Sequence, residues 1–263
     1  MIDPFCIEGP AVISFSGGRT SGYMLRRILD AGLRPDCHIL FANTGKERPE
    51  TLAFVRECSE RWKVQIHWLE YQRGEVDPSE ASVNGEPFAA LIQARSMLPN
   101  PMMRFCTSEL KVRPIKLWMR EKGYEHWLNV VGIRADEPRR VARMLAPNRE
   151  RWDNVVPLYD ARVTVQDVMS FWAAQPFDLR LKSHQGNCDL CFLKGRAKKM
   201  AIIRDDPSVA DWWIEQERLL GKEFRNGGMN YAAMKDTVER TPLLFAPPLE
   251  DAPDDIADCG CHD

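Results

Sequence analysis

The sequence predicts an α/β fold built on a parallel sheet with helices on both faces. The first observation is rhythm: between residues 11 and 69, apolar runs of strand length alternate with stretches of helical spacing. The second is the forced turn Ser16-Gly17-Gly18-Arg19-Thr20-Ser21, where the first apolar run hands over to a helix. The third is size, since 263 residues with 44% apolar and 28% charged side chains suit one large α/β unit or one with an appended lobe.

Ala11-Val12-Ile13-Ser14-Phe15 reads as the first strand. The two glycines after it permit positive φ and carry no Cβ, so successive N–H groups can converge on an anion at a helix N-terminus. Ser16, Thr20 and Ser21 add hydroxyls, and Arg19 adds a permanent cation. Taken alone, the same hexapeptide would also serve as a serine-rich helix cap. Tyr23, Met24, Ile28 and Leu29 carry a helix that Gly32 and Pro35 stop. Cys37-His38-Ile39-Leu40-Phe41-Ala42 is a buried strand ending in Asn43-Thr44-Gly45-Lys46-Glu47, Pro49 opens a helix to about Trp62, and Val64 to Leu69 alternates as a third strand. Right-handed crossovers make such strands parallel, and ligands of such sheets sit outside the carboxyl ends. Ser16 to Ser21 and Asn43 to Glu47 should therefore face one crevice.

Residues 71–104 are irregular, with Gly74, Pro78, Gly85, Pro87, Pro99 and Pro101 around a short helix near Phe88 to Met97, and read as an insertion or a mobile cover. Helical spacing at Ile115, Trp118 and Met119 stops at Gly123. Trp127 to Val131 is a further buried strand, opening onto Gly132-Ile133-Arg134-Ala135-Asp136-Glu137-Pro138-Arg139-Arg140. Beyond it, helices are expected over about 163–175, 193–204 and 208–220, with Trp212 and Trp213 as core packing. From about Thr241 the chain is proline-rich and acidic, the composition of a flexible tail. The organisation is a nucleotide-binding-type α/β region over 1–160, a helical region over 161–240 and a tail over 241–263.

A net charge of -2 leaves no bulk footprint of a dedicated nucleic-acid binder. No apolar run reaches membrane-spanning length and the first residues lack a signal-peptide pattern, so a cytoplasmic protein without membrane partners is expected. Eight cysteines are too sparse for a secreted disulfide scaffold. Cys6, Cys37 and Cys58 stand alone and read as small hydrophobes. Cys106, the C-x-x-C pair Cys188 and Cys191, and the tail pair Cys259 and Cys261 are the chemically interesting set. By itself a C-x-x-C divides between zinc, an iron–sulfur cluster, a redox dithiol and coincidence.

The run S-G-G-x-x-S at Ser16 to Ser21 resembles the loop of the PP-loop superfamily of adenine-nucleotide enzymes, and no Walker G-x-x-x-x-G-K-[ST] occurs. Asn43-Thr44-Gly45-Lys46-Glu47-Arg48-Pro49-Glu50-Thr51 resembles the N-T-G-x-x-x-P-E-T run of its reductase-like branch, the phosphoadenosine phosphosulfate and adenylyl-sulfate reductases. Gly132-x-Arg134-x-x-Glu137 resembles the loop after the fourth strand. The resemblance implies a Rossmann-like PP-loop fold that binds an adenine nucleotide, either ATP or adenylyl sulfate or its 3′-phosphate. It implies that Ser16, Gly17, Gly18, Arg19, Thr20, Ser21, Asn43, Thr44 and Gly45 hold the nucleotide. Arg134, whose planar fork suits phosphate or sulfate, would approach its anionic end.

Cys106-x-x-x-x-Lys111-Val112-x-Pro114-Ile115 resembles the C-C-x-x-x-K-V-x-P-L segment of the iron–sulfur adenylyl-sulfate reductases, which also carry a distant C-x-x-C. This implies a [4Fe-4S] cluster on Cys106, Cys188 and Cys191, with Lys111 toward the nucleotide. Thr107 replaces the second adjacent cysteine. Three arrangements stay open: a cluster with an open iron, a fourth ligand from the tail, or zinc. Lys111, Arg113 and Lys116 would offset the thiolate charge. Asp258-Cys259-Gly260-Cys261-His262 resembles the reductases' terminal E-C-G-x-H, which implies that Cys259 attacks the sulfonucleotide sulfur and that a thioredoxin-like reductant resolves the product, with Cys261 as a resolving thiol. Two activities follow: sulfonucleotide reduction, or ATP-dependent adenylation with Mg²⁺ and a sulfur donor acting on a nucleobase or nucleic acid. A metal-stabilised nucleotide-binding module is the non-enzymatic reading, and self-association stays open.

Overall fold

The computed structural model describes residues 3–147, 149–225 and 227–241. Strand β1 (Ala11–Ser14) leads into α1 (Arg19–Ala31), β2 (Cys37–Asn43), α2 (Pro49–Trp62) and β3 (Ile66–Glu70), where the alternation of patterns places them. The irregular stretch then holds β4 (Gly74–Val76), α3 (Glu86–Arg95) and the short turn α4 (Phe105–Thr107). A π-helical segment, Ser108–Val112, runs from α4 into α5 (Arg113–Glu121), followed by β5 (Trp127–Val131), α6 (Pro138–Met144) and β6 (Trp152–Val155). The chain continues as α7 (Pro157–Asp160), α8 (Val165–Ala173), α9 (Arg196–Asp205), α10 (Asp211–Leu220) and α11 (Tyr231–Arg240).

The sheet order is β4-β3-β2-β1-β5-β6, and every neighbour pair is parallel except β3 with β4. The expected parallel sheet is therefore edged by one antiparallel strand. Gln72 and Gly74 supply the positive φ, 63° and 70°, that the tight reversal needs. Because the chain leaves β1 for β2 on one side and returns to β5 on the other, the crevice opens at the carboxyl end of β1.

Side-chain alternation sorts the two faces. Ile13, Ile39, Phe41 and Trp68 pack with Met24 and Leu25 of α1, Phe54 and Val55 of α2, and Trp172 of α8. Val12, Leu40 and Leu69 face the other way, onto Trp118 and Met119 of α5. A second core gathers α3, Leu190 to Leu193 and the last three helices around Trp213, Phe224 and Tyr231. Trp213 is core as expected, while Trp212 is only half-buried. Cys37 and Cys58 are buried, and burial pushes both thiols up. Cys6 departs from expectation: it is exposed. Among the described residues no helix is long and apolar enough to cross a membrane.

Glu217 ties the second core together by accepting from the Phe224 and Tyr231 amides at 3.2 and 3.0 Å. Burial raises its pKa, helped by Glu223 and opposed by those amides and Lys199. A carboxyl raised in the folded state contributes stability that is complete below its unfolded pKa and is lost as pH rises through the folded one. Melting of Glu217→Gln beside the native chain should therefore show the variant gaining relative stability as pH rises from the ordinary carboxyl range, ~4, upward. A difference that shrinks over that range would contradict the assignment.

Candidate nucleotide and thiol site

Gly17 adopts φ +76°, and a Cβ there would lie 2.7 Å from Thr51 Cγ2 and 3.0 Å from Val55 Cγ2. Only glycine lets the loop fold this tightly onto α2. The turn aims the Ser16 and Gly18 N–H groups at one point, 3.3 Å each from Ser21 Oγ. That hydroxyl also lies 2.9 Å from Ser16 Oγ and donates to the Gly18 carbonyl at 3.0 Å. Across the switch point, a Cβ on Gly132 would come within 3.3 Å of Ser21 Cα, so the loops after β1 and β5 touch. Arg134 completes the contact, its Nη1 donating to Thr20 Oγ1 at 3.0 Å while Asp136 accepts from its Nε at 3.0 Å.

Arg19 goes elsewhere. Its guanidinium makes two 2.7 Å bonds to the Asp178 carboxylate, away from the cavity that Ser16 and Ser21 line. That cavity, about 210 Å³, has hydroxyls at one end and an apolar slot formed by Leu40, Val112, Ile115, Met144, Trp127 and Trp152. The two indoles stack with centroids 5.4 Å apart, and a polar ladder steadies its floor. In that ladder Ser14 Oγ donates to Asn129 Oδ1 at 2.9 Å, and Asn129 Nδ2 donates to Asn154 Oδ1 at 2.8 Å. Of these lining residues only Val112 and Ile115 fell within a motif; for the rest, the paired tryptophans that begin β5 and β6 were the one visible signal.

Asn43, Thr44 and Gly45 form a self-bonded loop at the end of β2. Asn43 Nδ2 donates to buried Glu70 at 2.6 Å, its Oδ1 accepts from the Gly45 amide at 3.1 Å, and the Thr44 amide and hydroxyl donate to Glu47 at 2.8 and 2.9 Å. Burial pushes the Glu47 carboxyl up, opposed by the Lys111 ammonium and by Thr44. Lys111 lines the cavity under the Ser16–Ser21 loop and also a second, about 30 Å³, that Thr44, Lys46, Cys106, Cys188 and Cys191 share. The three distant thiols are thus brought to one place, beside the first cavity. Arg113 and Lys116 pair instead with Glu109 and Glu150, at 2.9 and 2.6 Å. The cation the sequence did not single out is Lys46, 2.6 Å from Asp189 inside the C-x-x-C and 4.8 Å from the Trp212 ring centre.

Three thiolates are the donor type that iron–sulfur clusters and zinc take. Among the described residues no group of three His, Cys, Asp or Glu side chains stands in metal-holding geometry, and the cavity has room for water-sized occupants. The donor set fits; closing it on a metal requires one of the segments that carry the thiols to shift and the cavity to widen. Cys259 and Cys261 lie outside the described residues.

A mostly parallel sheet with converging amides at its switch point is the arrangement of an α/β protein of the PP-loop type. The chain belongs to the phosphoadenosine phosphosulfate reductase domain family, whose model matches residues 10–178. It is 31% identical over 236 residues to an uncharacterized nin region protein of Escherichia phage lambda, covering 82% of this chain and 76% of that one. An uncharacterized protein of Methanocaldococcus jannaschii is 29% identical over 131 residues, half of this chain and 24% of that protein's length. Similar solved structures include a phosphoadenylyl-sulfate reductase from Candida auris in a phosphate complex, at TM-score 0.43, 16% identity and coverage of 63% and 72%. Another is a U34-tRNA thiolase from Methanococcus maripaludis with its [4Fe-4S] cluster, at TM-score 0.41, 12% identity and coverage of 84% and 74%.

Proposed function

We propose that the chain is an enzyme that binds an adenine nucleotide in the 210 Å³ cavity and carries out sulfur transfer or reduction, in the manner of phosphoadenosine phosphosulfate reductases. One observation carries the reading: Lys111 borders both the cavity under the Ser16–Ser21 loop and the cavity of the three thiols. In this reading the purine occupies the slot by the stacked indoles, and the Ser16 and Gly18 amides with Thr20, Ser21 and Arg134 receive the anionic end. Cys106, Cys188 and Cys191 hold the cluster, which when bound supplies a polarisable, sulfur-seeking centre; zinc is the alternative occupant. Lys111 offsets negative charge on both sides.

For a sulfonucleotide, the Cys259 thiolate forms an S–S bond to the sulfur as the S–O bond to the nucleotide phosphate breaks. The nucleotide leaves with that electron pair, and a dithiol reductant of the thioredoxin class supplies two electrons to release sulfite. The intact S-G-G-x-x-S loop favours a second reading, in which ATP with Mg²⁺ adenylates an acceptor oxygen, pyrophosphate leaves, and a sulfur nucleophile displaces AMP. Offering ATP, adenylyl sulfate and its 3′-phosphate separately separates the two. Sulfite, abolished by Cys259→Ser, identifies the reductase; pyrophosphate from ATP identifies the adenylating enzyme, and neither product removes the proposal. Iron and acid-labile sulfide in anaerobically purified protein are expected, against one zinc in colourless protein.

The arginines give a further expectation. Arg134→Ala should weaken nucleotide binding ~10- to 100-fold, the loss of a charged hydrogen-bond donor. Arg19→Ala, which removes only the pair with Asp178, should change affinity by less than ~3-fold. Calorimetric titration of both decides, and the reverse ranking would displace Arg134 from the site.

A further inference from the structure

We propose that Asn187 couples the anion loop to the thiol pair, so that a nucleotide on Ser16 to Ser21 changes the reactivity of Cys188 and Cys191. This rests on the nucleotide reading above and deepens it. Asn187 directly precedes Cys188 and is 1% exposed. Its Nδ2 donates to the Ser16 carbonyl at 2.9 Å, across 171 residues of chain. Its own carbonyl accepts from the Arg48 amide at 2.7 Å and from Thr51 Oγ1 at 3.4 Å. One residue thus touches both the loop and the start of α2, on which Gly17 packs.

Its Oδ1, buried with no donor among the described residues, gains nothing from its position. On the far side the pair is clamped to the loop after β2: Glu47 and Cys188 form a β-bridge, the Asp189 amide donates to the Lys46 carbonyl at 2.8 Å, and Lys46 Nζ meets the Asp189 carboxylate. The thiols therefore cannot move independently of either loop. An anion replacing Ser21 Oγ at the Ser16 amide reorients Ser16, whose carbonyl holds Asn187. Occupancy tightens the strap and slows attack on its thiols.

The test is iodoacetamide alkylation of the full-length chain prepared without bound iron or zinc, so that no metal occupies Cys188 and Cys191, followed cysteine by cysteine by mass spectrometry, with and without saturating ATP or adenylyl sulfate. Exposed Cys6 is the internal standard. Nucleotide should slow Cys188 and Cys191 by at least about 5-fold relative to Cys6, the lower end of ordinary coupling between sites. Asn187→Leu, which approximates the shape and loses the donor to Ser16 without adding charge beside the loop, should reduce that ratio to within ~2-fold of unity while nucleotide still binds. Direct shielding by the nucleotide would survive the substitution and overturn the proposal, as would a ratio of one in the native chain. Should Asn187→Leu fail to fold, Asn187→Ala removes the same donor to Ser16 with a smaller side chain. An unchanged ratio there also overturns the coupling. Nucleotide that binds without altering alkylation refutes only the coupling, whereas a chain that binds neither nucleotide removes the functional reading and the coupling with it.

Discussion

Gly17→Val is expected to abolish nucleotide binding while leaving the sheet folded. Valine is β-branched and strongly disfavours φ +76°, and its Cβ would sit 2.7 Å from Thr51 Cγ2, on a helix anchored by its own core contacts. The loop must then swing out, and the Ser16 and Gly18 amides lose their common aim. Two hydrogen bonds to a charged ligand, each ~1.5–3 kcal/mol, correspond to at least ~100-fold in affinity. Gly9→Ala is the control, because Gly9 also has positive φ, +100°, but a Cβ there would meet nothing within 4 Å. Calorimetry with ATP and with both sulfonucleotides, alongside circular dichroism, reads the result. Native affinity in the valine variant would sink the assignment of this loop.

The second large effect is on stability. Trp213→Ala should cost ~3–5 kcal/mol, the range for truncating a fully buried aromatic. Trp213 is 1% exposed and lies against Phe88, Trp212, Phe224 and Tyr231, with ring centroids 5.0 to 5.9 Å apart. Its indole N–H also donates to Asp189 Oδ1 at 3.0 Å, so the cavity left behind opens directly under the C-x-x-C. Urea unfolding should show a lower midpoint, and Cys191, 8% exposed in the native chain, should alkylate faster. A change below ~1 kcal/mol would mean that the second core does not depend on this side chain.

The strand–helix rhythm was legible wherever burial on both faces wrote continuous apolar runs, as in Cys37 to Asn43. It was illegible in β4 and β6, each a short edge strand whose residues, Gly74-Glu75-Val76 and Trp152-Asp153-Asn154-Val155, look like loop because half their surroundings are polar. The turn from Ser16 to Ser21 announced itself through its glycines, whose backbone role is local. The Arg19–Asp178 pair was hidden for the opposite reason: a charge near a loop goes to whichever partner the fold brings, and Asp178 lies 159 residues away. Asn187 and the Lys46–Asp189 pair were hidden in the same way, since each bond joins segments more than 140 residues apart. An acid inside the C-x-x-C and a lysine after Asn-Thr-Gly were the hints available.

The hydroxyl of Ser21 fills the spot on which the Ser16 and Gly18 amides converge. A newcomer therefore exchanges one set of hydrogen bonds for another instead of meeting bare donors. For a small inorganic ion that exchange is the whole source of its affinity, set against the hydration it must surrender. A molecule that brings a ring to the indole slot along with its charge has a second source of affinity. On the proposed reading the loop is a threshold as much as a receptor, and inorganic phosphate or sulfate should bind it more weakly than a nucleotide does.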